Sequence, residues 1–576
     1  MIRLRCFAAS ARQARRRFQV AASAGLSVAV FGLAYVAAQV PDGPPPPLPR
    51  PAPPSPPLTA ITSQDHLDGL KNTSRWLMYS GDYTGRRHSP LTQVAPGNVG
   101  RLAAQWAFQA DNMVAGRGFE GTPLLIDGVL YVTGNNNTAW AINVRTGEQL
   151  WRYRRNLPPG LTYGSANASN RGFAVLGDLL FMGTLDAHLI ALDRRTGKLV
   201  WDQTVDNFKV GYAITQAPLI VKDKVILGIA GGDIPTRGFV DAYDPKTGER
   251  VWRFYTIPAP GEPGSETWSD PDVLPRGGGA TWQTGSYDPG LNLLYWGVGN
   301  PNPDYYGEDR KGDNLYTASL IALDADTGKL RWHFQFTPHD LHDWDSNHVP
   351  VLADMTINGR ARRVVMVANR NGFFYTLDRE TGEFLVGKPF TGTQWARELT
   401  KEGKPIVLTN GVATSAKPTC VPDYRGGTNF NPPSYDPAAQ LFFVMARETC
   451  AVYSPRKEEP VAGRSFMSGG MEKLPEPDYS ALRAIDPKTG AIKWEHKFTQ
   501  SSLAGVMSTA SGLVFAGDQD GYFNAFESRS GKLLWRYRTG SPIHGAAATT
   551  YMIDSRQFVL IPSGMTITAF ALPESR

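Results

Sequence analysis

One pattern of apolar and polar positions recurs along most of the chain. Short runs alternate apolar and polar or small residues, as in Leu189-Ile-Ala-Leu-Asp193, and resume after a break as Lys198-Leu-Val-Trp201. Such runs predict short β-strands rather than helices. The break has the form Asp-x-x-Thr-Gly, in which Asp caps a turn and Gly supplies a positive φ, so each unit is a hairpin. Units of this kind end at Trp151, Trp201, Trp252, Trp332, Trp494 and Trp535; one carries Val386 in place of Trp, and the stretch around Trp106 is a degenerate first copy. That makes eight units. Between them lie further strand-like runs, such as Gly128-Val-Leu-Tyr-Val-Thr133 and Leu179-Leu-Phe-Met-Gly-Thr184. Four short strands in each roughly 40–55 residues predict an all-β fold, an eight-bladed β-propeller with the tryptophans in its core. The intervals 252–332 and 386–494 are long, which places extra loops on one face, the functional one.

The first 64 residues do not follow the pattern. Six arginines between Arg3 and Arg17 precede a mostly apolar run from Val20 to Ala38, with small residues at its end. Residues 1–40 therefore read as a cleaved export signal or a single retained membrane anchor, with a loose twin-arginine signature at Arg15-Arg16-Arg17-Phe18. Either way the bulk of the chain is expected in the periplasm, attached to the inner membrane through residues 20–38 if the run is kept. Residues 41–64 form a linker, and Pro41–Pro57 holds eleven prolines in seventeen residues, a stiff spacer. Residues 65–576 are the expected propeller domain.

Composition adds three points. Gly 59 and Pro 44 in 576 residues fit many short elements. The formal charge of +6 is accounted for by the six N-terminal arginines, so the body is neutral and offers no case for nucleic-acid binding. Only Cys420 and Cys450 lie in the exported part, where they read either as a disulfide or as two separate buried thiols. No Cys-x-x-Cys-His is present to attach a c-type haem.

The Thr-Gly-x-x-x-Trp units resemble the tryptophan-docking motifs of the quinoprotein alcohol dehydrogenases, over roughly residues 65–570. That resemblance implies an eight-bladed propeller binding pyrroloquinoline quinone (PQQ) with Ca2+ or a lanthanide ion. Phe336-Thr-Pro-His-Asp-Leu-His-Asp-Trp-Asp-Ser346 is similar to the family's catalytic loop, which makes Asp343 the general base and a metal ligand. Asp345 then falls where lanthanide-using members place an additional metal carboxylate, which makes it a further metal ligand. Tyr295-Trp-Gly-Val-Gly-Asn-Pro301 and Gly231-Gly-Asp-Ile-Pro-Thr-Arg-Gly238 resemble metal motifs and mark Asn300 and Asp233 as ligands, with Asp233 replacing the usual Glu. The resemblance assigns PQQ contacts to Arg171, Arg370 and the stacking Trp282, with weaker polar contacts from Glu120, Thr215 and Asn429. Cys420 and Cys450 match a structural bridge seen in several members. Where many members carry an adjacent-cysteine pair over the quinone, this chain has Gly164-Ser-Ala-Asn-Ala-Ser169.

The implied reaction is oxidation of a small alcohol to an aldehyde or ketone. Electrons pass to a separate acceptor, a cytochrome c or a membrane quinone. The alternatives are a PQQ-dependent sugar or polyol dehydrogenase and a non-catalytic propeller scaffold. The residues carry no signature of the particular substrate.

Overall fold

The computed structural model describes residues 59–574 apart from 112–117, 162–167 and 409–420. The expected signal or anchor, the proline-rich stretch to residue 58, Gly164–Asn167 and Cys420 lie outside the described residues. Among those described, no helix is long and apolar enough to cross a membrane.

Among the described residues, eight sheets of four or five strands make up the body. Six are plain antiparallel meanders. In chain order their first and last strands are Leu124–Ile126 and Gln149–Arg154, Ala174–Leu176 and Leu199–Thr204, and Leu219–Val221 and Arg250–Tyr255. The series continues with Ser286–Asp288 and Leu330–Gln335, Val351–Ile357 and Phe384–Pro389, and Ser434–Asp436 and Ile492–Phe498. The seventh runs from Val506–Thr509 to Leu533–Arg538 and gains His88–Ser89 as a parallel fifth strand. The eighth is composite: Thr549–Ile553, Arg556–Ser563 and Thr566–Ala571 are completed by Ala103–Gln109 from the other end of the body. In most blades burial falls from the first strand to the last, as from fully buried Leu124–Ile126 to half-exposed Gln149–Arg154.

The turns form for the expected reason. The Asp193 carboxylate accepts the Arg195 and Thr196 N–H groups at 3.1 and 2.9 Å, and Gly197 closes the turn at φ +69°. That glycine also docks the preceding blade, because a Cβ on Gly197 would stand 2.7 Å from the Trp151 ring. The Trp151 Nε1–H donates to the Arg194 carbonyl of the same turn at 3.0 Å. Trp106, Trp201, Trp332 and Trp494 are held alike, each with its N–H on a backbone carbonyl of the next blade. The expectation that all these tryptophans are core needs correction. Trp106 and Trp332 are buried, whereas Trp151, Trp201, Trp252, Trp494 and Trp535 are half-buried. They stand on the last strand of a blade, so one ring face meets the next turn while the rim meets water.

Apolar side chains fill the spaces between neighbouring sheets, as where Tyr131 and Ala141 of one blade meet Val175, Leu180 and Ile190 of the next. The two long intervals become elaborate loops. The second includes a hairpin of Leu441–Pro455 and Gly469–Ile485 that outruns the neighbouring strands. Ordered packing reaches back to Ile61, which bridges to Gly177.

Candidate active site

Loops from several blades enclose a cavity of about 530 Å³. Glu120, Arg171, Thr215, Trp282, Arg370 and Asn429 line it, as do Asp233, Asp343 and Asp345. Asn300 stands just behind the wall, fully buried, its Oδ1 3.3 Å from where a Cβ on Gly232 would be. The structure thus brings together every candidate cofactor and metal residue. Both long intervals contribute, the first through Trp282 and Asn300 and the second through Asn429 and the hairpin residues Gly470 and Met471.

The loop of residues 336–346 is locked from beneath. Asp343 adopts φ +59°, a left-handed conformation that Asp tolerates better than most residues. The Asp340 carboxylate accepts the Trp344 N–H at 2.8 Å, and His342 stacks on Trp344 with ring centres 4.0 Å apart. Trp344 Nε1–H donates to the Asp423 carbonyl at 3.1 Å. Fully buried Arg310 donates to the carbonyls of Asp340 and Pro303, tying this loop to the Asn300 segment.

Carboxylates converge at one end of the cavity. Ligand oxygens of Asp233, Asp304 and Asp343 all lie within 4.8 Å of one another. Asp304 was missed by sequence reasoning; its only signal was an acid four residues beyond Asn300 in an Asn-Pro-Asn-Pro turn. Burial, with Asp233 nearby, pushes the carboxyls of Asp343 and Asp304 well above the usual carboxylate range, and Arg370 opposes the effect at Asp343. Asp345 stands outside this trio. Its Oδ1 accepts the Asn300 N–H at 3.0 Å, and its Oδ2 accepts Trp282 Nε1–H at 2.9 Å and Arg370 Nη2–H at 2.8 Å. Gly299 makes room for that approach, since any Cβ there would collide with Asp345 Oδ1.

Two arginines dominate the other side. Arg370 donates to the Asp343 carbonyl at 2.7 Å and its carboxylate at 3.3 Å, to the Tyr424 carbonyl at 3.0 Å and to Asn429 Oδ1 at 3.3 Å. Burial works against its charge, yet Asp345 and Asp343 hold its pKa above the usual arginine value. Arg171 donates to Thr215 Oγ1 and to Glu120 Oε2, both at 2.9 Å. Its guanidinium carbon lies 4.9 Å from the Trp282 ring centre and 4.4 Å from that of Phe430, a residue sequence reasoning did not single out. Buried His348 is held neutral, with burial and then Arg370 pushing its pKa down to about 3.

The residues fit the groups that the sequence motifs imply. Asn300 Oδ1 and Asp304 Oδ2 are buried oxygens without a hydrogen-bond partner, and an all-oxygen donor set suits a hard cation such as Ca2+ or a lanthanide. Two arginines flanking an aromatic ring suit a flat polyanion. Ser169 lines the cavity near the position of the absent cysteine pair.

Known proteins resemble this chain over most of its length. The PQQ family model described as glucose/ethanol/alcohol dehydrogenase, beta-propeller domain, matches residues 76–389 and 411–559. The chain is 36% identical over 532 residues to the quinoprotein alcohol dehydrogenase PedH of Pseudomonas putida, covering 88% of each. It is 35% identical over 520 residues to the quinohemoprotein alcohol dehydrogenase of Comamonas testosteroni, covering 85% of this chain and 73% of that protein. A solved structure titled europium-containing methanol dehydrogenase superimposes with a TM-score of 0.81 at 32% identity, over 88% of this chain and 92% of that one.

Proposed function

Because this chain belongs to the family of PQQ-dependent quinoprotein alcohol dehydrogenases, we propose that Asp343 is the base that takes the hydroxyl proton of an alcohol bound in the cavity. The protein is an oxidoreductase that converts an alcohol to an aldehyde or ketone and passes the electrons to an acceptor. When bound, PQQ and a Ca2+ or lanthanide ion supply a hydride acceptor and a Lewis acid.

The residues divide the remaining work. Asp233, Asn300 and Asp343 hold the cation, and Asp345 adds its charge beside them while orienting Arg370, Trp282 and the Asn300 backbone. Trp282 would hold the flat cofactor by its ring face. Arg171, fixed by Glu120 and Thr215, would pair with its carboxylates, and Arg370, steadied by Asn429, would stabilise negative charge on it. The acceptor is a separate cytochrome c or membrane quinone. Residues 1–40 direct the domain to the periplasm, where it is either released or kept at the inner membrane through residues 20–38. Cys420 and Cys450 form a disulfide.

The observation that carries this reading is the close pairing of Asp343 with Arg370 inside a cavity that also holds Asp233, Arg171 and Trp282. A scaffold without catalysis has no use for that set. General-base catalysis is worth about 10²–10⁴ in rate, so Asp343→Asn is expected to cut turnover by that factor while PQQ remains bound. PQQ content is read by absorbance and turnover by dye reduction on an alcohol panel. Unchanged turnover in the PQQ-loaded variant would overturn the assignment.

A further inference from the structure

The structure assigns a role to Asp304 that the motifs do not: we propose that it is a direct ligand of the metal, completing a site of three carboxylates and one amide. This rests on the metal reading given above and names one residue more. Asp304 is fully buried. Its Oδ1 accepts Asn300 Nδ2–H at 2.8 Å and stands 3.5 Å from Asn302 Nδ2, while its Oδ2 is buried with no hydrogen-bond partner. The first contact fixes the Asn300 amide so that its own Oδ1, likewise buried and without a partner, is left as the free acceptor. Two unpartnered oxygens thus sit beside Asp233 and Asp343. Buried oxygens without donors are costly, and a cation among them removes the cost.

The spacing agrees. Oxygen ligands about 2.3–2.6 Å from one ion can stand no more than about 5 Å apart. The ligand oxygens of Asp233, Asp304 and Asp343 meet that limit, all lying within 4.8 Å of one another. Protein cations do not fill the role. Arg310 gives its N–H groups to the carbonyls of Pro303 and Asp340 and to Asn314 Oδ1. Arg370 bonds to Asp343 and Asp345 but makes no hydrogen bond to Asp304. Arg310 anchors Pro303 and acts on the Asp304 charge from a distance, but it makes no hydrogen bond to Asp304 and leaves Oδ2 without a partner. Asp304 adds one more negative oxygen ligand, and added anionic charge favours a trivalent ion over Ca2+, so Asp304 tips the site toward lanthanides.

The test uses PQQ-loaded, full-length enzyme stripped of metal. La3+ and Ca2+ are titrated separately by equilibrium dialysis with elemental analysis, and Eu3+ luminescence lifetimes in H2O and D2O count the waters on the ion. Asp304→Asn keeps the size and an acceptor for Asn300. It is expected to weaken La3+ at least tenfold and Ca2+ by clearly less, and Asp304→Ala to add about one water to bound Eu3+. Asp233→Asn serves as the reference for the site itself. If Asp233→Asn loses metal while Asp304→Asn binds La3+ and Ca2+ as the parent does, with the same water count, Asp304 is not a ligand and the wider site stands. If neither substitution alters binding, the metal reading falls with it. Equal weakening of both ions leaves Asp304 a ligand and refutes the selectivity.

Discussion

Arg447 and Asp423 form a buried, two-pronged ion pair that holds the cofactor loop, and its loss should be costly. Arg447 Nη1 and Nη2 lie 2.7 and 2.9 Å from the two Asp423 oxygens, and neither side chain is more than 3% exposed. Arg447 also donates to the Gly426 carbonyl at 2.9 Å, and its N–H meets the Gly427 carbonyl at 2.7 Å. Between these anchors runs the segment carrying Asn429 and the Tyr424 carbonyl, both partners of Arg370. Burial alone would raise the Asp423 carboxyl, but Arg447 holds it below the usual range. Arg447→Met leaves a buried carboxylate without its partner, a change worth about 3–5 kcal/mol. Asp423→Leu leaves the buried guanidinium unpaired at similar cost. The double variant Arg447→Met/Asp423→Leu strands no charge, so its loss should fall well below the sum of the two. Urea unfolding followed by tryptophan fluorescence measures each loss. Hydrogen exchange at Gly426 and Gly427 detects opening confined to the loop. Single variants within about 1 kcal/mol of the parent, with unchanged exchange at both glycines, would refute the reasoning.

Three further outcomes are expected. Gly382→Ala forces a Cβ to 2.8 Å from the Trp332 ring at φ +80° and should cost about 1–3 kcal/mol, read as a lower urea midpoint; an unchanged midpoint would disprove the docking role. Peptide mapping under non-reducing conditions should recover Cys420 joined to Cys450, since Ala451 N–H meets the Val421 carbonyl at 2.9 Å; a bridge closing a loop of about 30 residues adds roughly 3.6 kcal/mol, which reduction should remove. His66 is buried 2.7 Å from the Val175 carbonyl, and burial holds its pKa below the ordinary value of 6.5. Between these two pKa values the unfolded chain binds more protons, so its contribution is complete above about pH 6.5 and declines as the pH falls below it, and His66→Gln should flatten that part of the stability profile.

The fold was legible because its signal is local and repeated. Asp, Thr, Gly and Trp of one unit stand within nine residues, and each shapes its own turn or meets the turn one blade on. Where Val386 replaces Trp, Lys388 covers Gly490 instead, a substitution that no rule based on Trp anticipates. The half-burial of Trp201 and Trp494 was hidden because solvent contact depends on the outer rim of the assembled ring. The site was legible through motif resemblance, since Asp343, Asn300 and Arg370 each sit in a recognisable stretch; only the ring brings them together. Asp304 escaped because an Asp beside Pro reads as an ordinary turn, and its burial depends on Asn300 and on Arg310 holding the preceding residue. The Arg447–Asp423 pair lies in a long insert without repeat character, so nothing in the pattern joined its members.

The composite eighth blade makes assembly a contest between self and neighbour. Trp106 is registered against Ala569, so the seam is sealed only when strands from opposite ends of the body meet. Until then Ala103–Gln109 and Thr566–Ala571 present matching open edges, and any other unfinished copy presents the same two. Within one molecule, encounter occurs at a fixed effective concentration, because the entropy of closing so long a loop rises only slowly with length. Between molecules it rises with the amount of protein. Refolding yield should therefore depend on dilution more steeply than for a propeller whose blades are each built from one continuous stretch, with strand-exchanged oligomers as the by-product.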